Sequence, residues 1–329
     1  MTKIITKDDL LLAKVELDKG NLVIFPTETV YGLGANALNS EAVDSIFEVK
    51  GRAHNNPLIV HLKDVLEIEK YAIINNDVER KLIDSFMPGP FTLILEKKNI
   101  IPSNVTCGMD TVGIRVPIDD IAHNLLNIID YPIAAPSANL STRPSGTNVL
   151  DIKDEFDGKV SFIIDGGTSR IGLESTVCKV IDGIPTILRP GFITKEDIEY
   201  VIGRCHVSEY VLKEAHGKVE SPGMLYKHYA PKTPCILVDE EEIGKVLLKY
   251  HHPILIGNKS YQDIPFFNYG DDKVSIAHNL FTLLRKADEL KGDVIIIQAV
   301  DLEGLGLAIM NRLIRTSEYH YIRKNNENN

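Results

Sequence analysis

Five basic residues could do chemistry on an anionic substrate: Lys50, Arg52, Arg115, Arg143 and Arg189. Arginine offers paired N–H donors to phosphate or carboxylate, and lysine offers a compact positive charge. The sequence contains no HExxH or GxSxG motif, no histidine cluster with metal-ligand spacing and no obvious carboxylate pair. Such a site would act by positioning and charge stabilisation, as phosphoryl and nucleotidyl transfers often do. The residues alone predict a site for a nucleotide or polyphosphate and a second anionic substrate.

The segment Val23–Gly34, which reads VIFPTETVYGLG, is a candidate ligand-binding element of an α/β protein. An apolar run at Leu22–Phe25 predicts a buried strand, and Pro26 ends it because proline has no N–H to donate. The hydroxyl-rich residues Thr27–Thr29 follow, where we expect a turn into a helix. Strand ends of this composition commonly hold ligands. The spacing matches neither standard glycine-rich phosphate loop, and an ordinary strand–turn–helix connection is the alternative.

A predicted helix places two of the basic residues close together. Asn39 or Ser40 can cap a helix that ends at Gly51, so Lys50 and Arg52 lie at its C-terminal end. The helix dipole favours cations at that end. The two residues are therefore either ligand-binding cations or simple helix-terminus charges.

Arg115 stands alone among apolar neighbours in the predicted strand Thr111–Pro117. An arginine inside a strand needs an anionic partner if it is buried. The alternative is an edge-strand arginine whose head group reaches water. For His61, in the predicted strand Leu58–His61, two interpretations remain: a ligand-binding residue or a hydrogen-bonded core histidine.

The length and the pattern predict two α/β domains joined by a linker. A chain of 329 residues is long enough for two hydrophobic cores. Residues 1–206 mix strands and helices, whereas 207–234 are polar and read as a linker. Residues 235–329 alternate as βαβαβα, which predicts a smaller Rossmann-like parallel sheet with covering helices.

The composition is that of a soluble protein in a reducing cytoplasm. No apolar run reaches the ~18 residues of a membrane helix, and the N-terminus is too charged for a signal peptide. The four cysteines lie far apart without a CxxC motif, so we expect no disulfide framework and no protein metal site. The net charge of −10 disfavours a broad nucleic-acid surface.

Ordered motifs along nearly the whole chain carry a family resemblance: PTETVYGLG, KGR before NPLIVH, TVGIRVP, PIAAPSAN, ESTV, LRPG, SPGM, KHYAP and GLGLAIMNR. The sequence resembles the YrdC-like family in its two-domain form, the L-threonylcarbamoyladenylate synthases. The resemblance implies a YrdC-like twisted mixed sheet around a large positive cavity in residues 1–206. It also implies a nucleotidyltransferase that makes L-threonylcarbamoyl-AMP from L-threonine, bicarbonate or CO2, and ATP, with release of pyrophosphate. The product would serve t6A37 modification of tRNA through a downstream threonylcarbamoyl transferase.

The same resemblance implies the roles of individual residues. Lys50 and Arg52 would be the catalytic residues and would face the triphosphate, accompanied by Mg2+ and without a prosthetic group. The implied ATP-binding residues are Lys50, Arg52, Asn56, Thr111, Ser137, Ser145, Arg189 and Tyr229. The implied threonine-binding residues are Thr29, His61, Arg115, Ala135 and Ser175, with Arg115 on the threonine carboxylate. We expect 207–234 to act as a lid, with Tyr229 touching the nucleotide.

Two alternatives of different function stay open at this point. A carbamoyltransferase that uses carbamoyl phosphate has a related domain, but its larger architecture carries paired-cysteine zinc motifs that this sequence lacks. A double-stranded RNA-binding module would need clustered lysine and arginine, against which the net charge of −10 argues.

Overall fold

The computed structural model describes residues 1–213 and 229–324, which form two compact units. Among these residues, the first unit comprises 1–141 and 145–213, and the second comprises Thr142–Pro144 and 229–324. Much of the predicted linker 207–234 lies outside the described residues. The predicted domain boundaries at 206 and 235 therefore stay predictions.

The first unit is built on one large mixed sheet, which the described residues form with twelve strands. The sheet order is β1-β9-β2-β3-β8-β4-β7-β6-β10-β11-β12, and β5 pairs with β6. The strands are β1 (Lys3–Ile5), β2 (Val23–Phe25), β3 (Gly32–Asn36), β4 (Ile59–His61), β5 (Ala72–Ile73), β6 (Phe91–Lys97), β7 (Thr111–Arg115), β8 (Ile133–Ala135), β9 (Phe162–Ile164), β10 (Thr176–Ile181), β11 (Ile184–Arg189) and β12 (His206–Val207).

The centre of this sheet contains both antiparallel and parallel pairs. β4 runs parallel to β7 and antiparallel to β8, while β3 is antiparallel to both β2 and β8. The predicted mixed α/β architecture is confirmed. β7 lies between β4 and β6, so the alternative of an edge-strand position for Arg115 is wrong.

Capping residues set the bounds of two helices of the first unit, Ser40–Lys50 and Lys195–Ile202. The helices of this unit are α1 (Leu10–Asp18), α2 (Ser40–Lys50), α3 (Ile68–Tyr71), α4 (Asp77–Phe86), α5 (Asp120–Asn127), α6 (Val149–Phe156) and α7 (Lys195–Ile202). The Asn39 side chain accepts from the first backbone N–H groups of α2, and Gly51 ends this helix with a φ of 61°. A left-handed residue at this position suits glycine, which has no Cβ penalty.

Both faces of β2 are buried, which explains its continuous apolar sequence. Val23 and Phe25 pack with Leu17 of α1 and Leu125 of α5. Ile24 points to the opposite face and belongs to the main core of the unit. Alternate residues of a strand face opposite sides of a sheet, so a strand covered on both sides needs apolar residues throughout.

The element after β2 differs from the predicted helix. β3 (Gly32–Asn36) is a strand that pairs antiparallel with β2, so the strand–turn–helix interpretation of this segment is wrong. The physical reason is the closeness of its neighbours. A Cβ on Gly34 would lie 2.9 Å from atoms of both Phe25 and Ile133. Glycine in this strand lets these side chains approach the backbone, a role that a sequence pattern does not distinguish from a turn.

The second unit is a parallel sheet of order β15-β14-β16-β13-β17, which confirms the predicted smaller α/β domain. Its strands are β13 (Cys235–Val238), β14 (Pro253–Gly257), β15 (Phe266–Asn268), β16 (Val294–Gln298) and β17 (Tyr321–Ile322). Its helices are α8 (Ile243–Leu247), α9 (Lys273–Glu289) and α10 (Gly306–Thr316). No helix within 1–213 or 229–324 combines the length and apolarity that crossing a membrane requires.

Candidate active site

Arg115 forms a buried ion pair with Glu28. The Arg115 Nη2 atom lies 2.6 Å from Glu28 Oε1, and the side chains of the two residues are only 5% and 3% exposed. Arg115 ends β7, whereas Glu28 lies in the loop between β2 and β3. Sequence reasoning required an anionic partner for a buried Arg115 but did not identify Glu28. The pairing of two segments so distant in sequence is a tertiary property that no local pattern encodes.

The hydroxyl groups of this loop surround the same ion pair. Thr29 Oγ1 and Thr27 Oγ1 lie 2.8 Å apart, and Arg115 Nη2 donates to Thr27 Oγ1 at 3.5 Å. The loop backbone is fixed because the N–H groups of Ile171 and Gly172 donate to the carbonyls of Glu28 and Thr29. The predicted threonine-site residues Thr29 and Arg115 are thus brought together through Thr27.

His61 lies directly opposite Arg115 in the β4–β7 pair. Its Nδ1 lies 3.2 Å from the carbonyl oxygen of Ile59, and the edge of one ring meets the face of the other in its contact with Phe25. Burial, and then the nearby Arg115 charge, together lower the pKa of His61 to about 3, against weaker opposing effects of backbone hydrogen bonds. The imidazole is therefore neutral at physiological pH and can take part in hydrogen bonding without adding charge.

The depressed pKa of His61 predicts a pH-dependent stability. The unfolded histidine binds a proton below about pH 6.5, whereas the folded one stays neutral down to about pH 3. Its contribution is therefore fully present above pH 6.5 and is lost as the pH falls between these values, by about 1.4 kcal/mol per pH unit.

Denaturant unfolding from pH 7 to pH 4 measures this loss. His61→Gln should reduce the fall in the free energy of unfolding between pH 7 and pH 4. His206→Gln, at an exposed site on β12, is the matched control and should show the same fall as the parent protein. Parallel pH curves for the parent protein and His61→Gln would contradict the assigned burial effect.

Lys50 connects the end of α2 to the loop after β8. Its Nζ donates to the carbonyl oxygens of Ser137, at 2.6 Å, and Asn139. The ammonium is buried, and burial, followed by the charge of Arg52, lowers its pKa well below the usual value. A simple helix-terminus charge would face water, so this interpretation of Lys50 does not fit the geometry. An anion beside Lys50 and Arg52 would stabilise the charged ammonium.

Arg52 and Asn56 lie together immediately after this helix. Arg52 Nε donates to the Asn56 carbonyl at 3.0 Å, and Arg52 Nη2 donates to the Pro57 carbonyl at 2.9 Å. The side chain of Asn56 is buried, and its Oδ1 accepts no hydrogen bond from the described residues. A buried amide oxygen of this kind is costly unless a further group donates to it.

Three more predicted residues, Ser145, Ser175 and Arg189, take part in two contacts on neighbouring segments. Ser145 Oγ donates to the buried Glu174 carboxylate at 2.5 Å. Arg189 donates from Nε and Nη2 to the Ser175 carbonyl, and its Nη2 also donates to Ser175 Oγ at 3.1 Å. Ser175 Oγ lies 2.8 Å from Thr92 Oγ1.

The remaining predicted residues of the first unit are less closely linked. Ala135 lies opposite Ile59 in the β4–β8 pair, and Ser137 forms an isolated bridge with Gly32. Thr111 begins β7 and Arg115 ends it, so about 13 Å of strand separates them. This distance suits two substrates along one strand better than one common contact.

Tyr229 belongs to the second unit. Its ring stacks on Phe281 with centroids 5.2 Å apart, and the Arg312 guanidinium lies 5.7 Å from its ring centroid. Its carbonyl accepts from Thr316 Oγ1 at 3.3 Å. The predicted contact of Tyr229 with the nucleotide stays a prediction, and most of the predicted lid lies outside the described residues.

Three acceptor residues near the predicted site were missed as functional candidates: Glu28, Asn139 and Glu174. Each stands inside a motif that carries the resemblance, so the signal was present in PTETVYGLG, PSAN and ESTV. Among residues 1–213 and 229–324, no group of three or more His, Cys, Asp or Glu side chains could hold a metal ion.

Comparison with known proteins defines the class of this fold and site. A family model described as telomere recombination matches residues 16–191, and one described as threonylcarbamoyl-AMP synthase, C-terminal domain, matches residues 193–317. The chain is 43% identical over 315 residues to the threonylcarbamoyl-AMP synthase of Pyrococcus abyssi, covering 93% of each protein. It is 41% identical over 320 residues to that of Bacillus subtilis, covering 93% of this chain and 92% of the relative.

A solved structure extends this likeness to the fold of almost the whole chain. The crystal structure of P. abyssi Sua5 complexed with L-threonine matches with a TM-score of 0.94 and 41% identity, covering 98% of this chain and all of that one. The chain belongs to the threonylcarbamoyl-AMP synthase family. This assignment confirms the resemblance found in the sequence and favours a synthase over the RNA-binding and carbamoyltransferase alternatives.

Proposed function

We propose that this protein synthesises L-threonylcarbamoyl-AMP from L-threonine, bicarbonate or CO2, and ATP, and releases pyrophosphate. The observation that carries the proposal is the buried Arg115–Glu28 pair, which is flanked by threonine hydroxyls and by the neutral His61. The positive and negative side chains of this pair are complementary to the carboxylate and ammonium groups of an amino acid. The chain is also 41% identical to a protein crystallised with L-threonine.

The chemistry follows from the groups available. The threonine amine and bicarbonate give an N-carboxylate and water, and an oxygen of this carboxylate then attacks the α-phosphorus of ATP. The bond from the α-phosphorus to the bridging oxygen of pyrophosphate breaks. This transfer of AMP to the carboxylate makes the protein a nucleotidyltransferase. Lys50 and Arg52 would stabilise the negative charge on the phosphates during the transfer. Mg2+ would enter as the ATP complex, because it prefers substrate phosphates to all-protein cages.

The remaining proposed contacts divide between the two substrates. Asn56, Thr111, Ser137, Ser145, Arg189 and Tyr229 would contact the nucleotide, and Thr29, His61, Arg115, Ala135 and Ser175 would contact threonine. The product is a mixed carbonic–phosphoric anhydride, which water hydrolyses readily. It would pass to a downstream threonylcarbamoyl transferase in the cytoplasm for t6A37 modification of tRNA.

Pyrophosphate release with each substrate omitted in turn tests the proposal. With MgATP, L-threonine and bicarbonate present, we expect steady release that falls to background when threonine or bicarbonate is left out. Release at the full rate without threonine would instead identify a plain ATPase.

The side-chain specificity gives a second expected result. Threonine should be preferred over serine by about 10- to 200-fold in kcat/KM, because one methyl group in an apolar site contributes ~1–3 kcal/mol. Initial rates of pyrophosphate release with each amino acid measure this ratio. Equal turnover of both amino acids would mean that the site does not contact the methyl group.

A further inference from the structure

Glu28 and Arg115 each keep one buried polar atom that their mutual ion pair does not satisfy. Glu28 Oε2 and Arg115 Nε are both buried and have no hydrogen-bond partner among the described residues. The residues as a whole are 4% exposed in each case, so bulk water has little access to them. Leaving a buried charged group incompletely hydrogen-bonded costs free energy. This cost indicates that another molecule supplies the missing hydrogen-bond partners of both residues.

The two atoms differ in the kind of group that they can bind. Arg115 Nε is a donor and suits an anion, whereas Glu28 Oε2 is an acceptor on a carboxylate and suits a cation. An α-amino acid carries a carboxylate and an ammonium group on the same carbon. The ion pair is therefore complementary to the zwitterionic end of an amino acid, with one partner residue for each charge.

A second carboxylate strengthens the preference for a cation beside Glu28. Asp119 caps α5 by accepting from the N–H groups of Ile121 and Ala122, both at 3.0 Å. Burial raises the pKa of Asp119, and the nearby Glu28 charge raises it further. Because the two carboxylates repel each other, a cation that lies close to Glu28 would be stabilised by both negative charges.

We propose that Glu28 is a substrate-binding residue whose Oε2 accepts a hydrogen bond from the ammonium group of threonine, while Arg115 holds the threonine carboxylate. Glu28 then does more than neutralise Arg115. It positions the amino group, which becomes the nucleophile of the reaction once the ammonium has lost one proton to water, and it selects amino acids over carboxylic acids without an amine. The identity of the amino acid rests on the proposed function, whereas the role of Glu28 rests on this geometry.

A binding comparison separates this role from a structural one. The ligands are L-threonine and (R)-3-hydroxybutanoate, which keeps the carboxylate and the hydroxyl but lacks the ammonium. Calorimetry with a non-hydrolysable ATP analogue present gives the ratio of the two dissociation constants. For the parent protein we expect threonine to bind about 10- to 150-fold more tightly, as a charge-assisted hydrogen bond predicts.

Glu28→Gln should reduce this ratio to within about threefold of unity, because the neutral amide no longer pairs with the ammonium. Glu79→Gln is the matched control, since Glu79 is also a buried carboxylate of the first unit but accepts from the Asn75 N–H at 2.6 Å. The control should keep the ratio of the parent protein. If Glu28→Gln does not fold, Glu28→Asp should still lower the ratio, because its carboxylate is one methylene shorter.

An unchanged ratio in the folded Glu28 variant would overturn the proposal, because a purely structural Glu28 misplaces Arg115 and weakens both ligands alike. A ratio near unity in the parent protein would overturn it as well. Neither result depends on turnover. The proposed synthesis can therefore hold while the role of Glu28 fails, and pyrophosphate release decides the synthesis separately.

Discussion

Arg115→Leu is expected to lower the free energy of unfolding by about 3–5 kcal/mol. The substitution leaves the Glu28 carboxylate buried without its partner, and an uncompensated buried charge has a cost of this size. In a unit of some 200 residues this corresponds to a fall of roughly 6–20 °C in Tm. Differential scanning calorimetry and urea unfolding at pH 7 measure the two quantities.

Burial, rather than the ion pair itself, is the reason for this large effect. Arg80 and Glu69 form a pair of nearly the same length, 2.7 Å, but their side chains are 47% and 63% exposed. Exposed pairs contribute ~0–1 kcal/mol, so Arg80→Leu should change little. Combining Arg115→Leu with Glu28→Gln should recover most of the loss, because no lone buried charge remains. A loss no larger for Arg115→Leu than for Arg80→Leu would contradict this account.

Local elements of this fold were predictable because their signals are local. The cap at Asn39 and the left-handed Gly51 define α2 to the residue, and the capping box of Thr194 and Asp197 begins α7. The strand β13 of the second unit also has its predicted bounds, Cys235–Val238. For the two helices, a short stretch of sequence contains the hydrogen-bonding groups that fix these boundaries.

Long-range pairing was beyond the reach of the sequence pattern. β8 inserts between β3 and β4 although about 70 residues or more separate it from each in the chain. Glu28 meets Arg115 only because β7 lies beside β4 and the loop after β2 folds over the same strand ends. The helix α6 was not predicted, although Asn148 caps it and its buried residues Val149, Ile152 and Phe156 follow helical spacing, so this local signal was missed. The family motifs identified the site residues more completely than periodicity did.

Arg52→Ala is expected to lower kcat/KM for pyrophosphate release by about 10- to 150-fold with little change in stability. A charge-assisted hydrogen bond contributes ~1.5–3 kcal/mol, and this range converts to those factors if the bond forms in the transition state. Arg52 is only half-buried, so its loss leaves no buried charge behind. Lys81→Ala, on the exposed face of α4, is the control and should leave both rate and stability unchanged.

Lys50→Met should lower kcat/KM to at least the same extent but should also reduce stability. The buried ammonium donates to the carbonyls of Ser137 and Asn139, and these acceptors would lose their donor. Each unsatisfied carbonyl costs ~1–3 kcal/mol, so the loop that carries Ser137 should loosen. Steady-state kinetics with MgATP and thermal unfolding on the same samples separate the two effects. If both variants lost activity only in proportion to their loss of stability, both cations would be structural. Charge stabilisation of the triphosphate would then have to come from other residues.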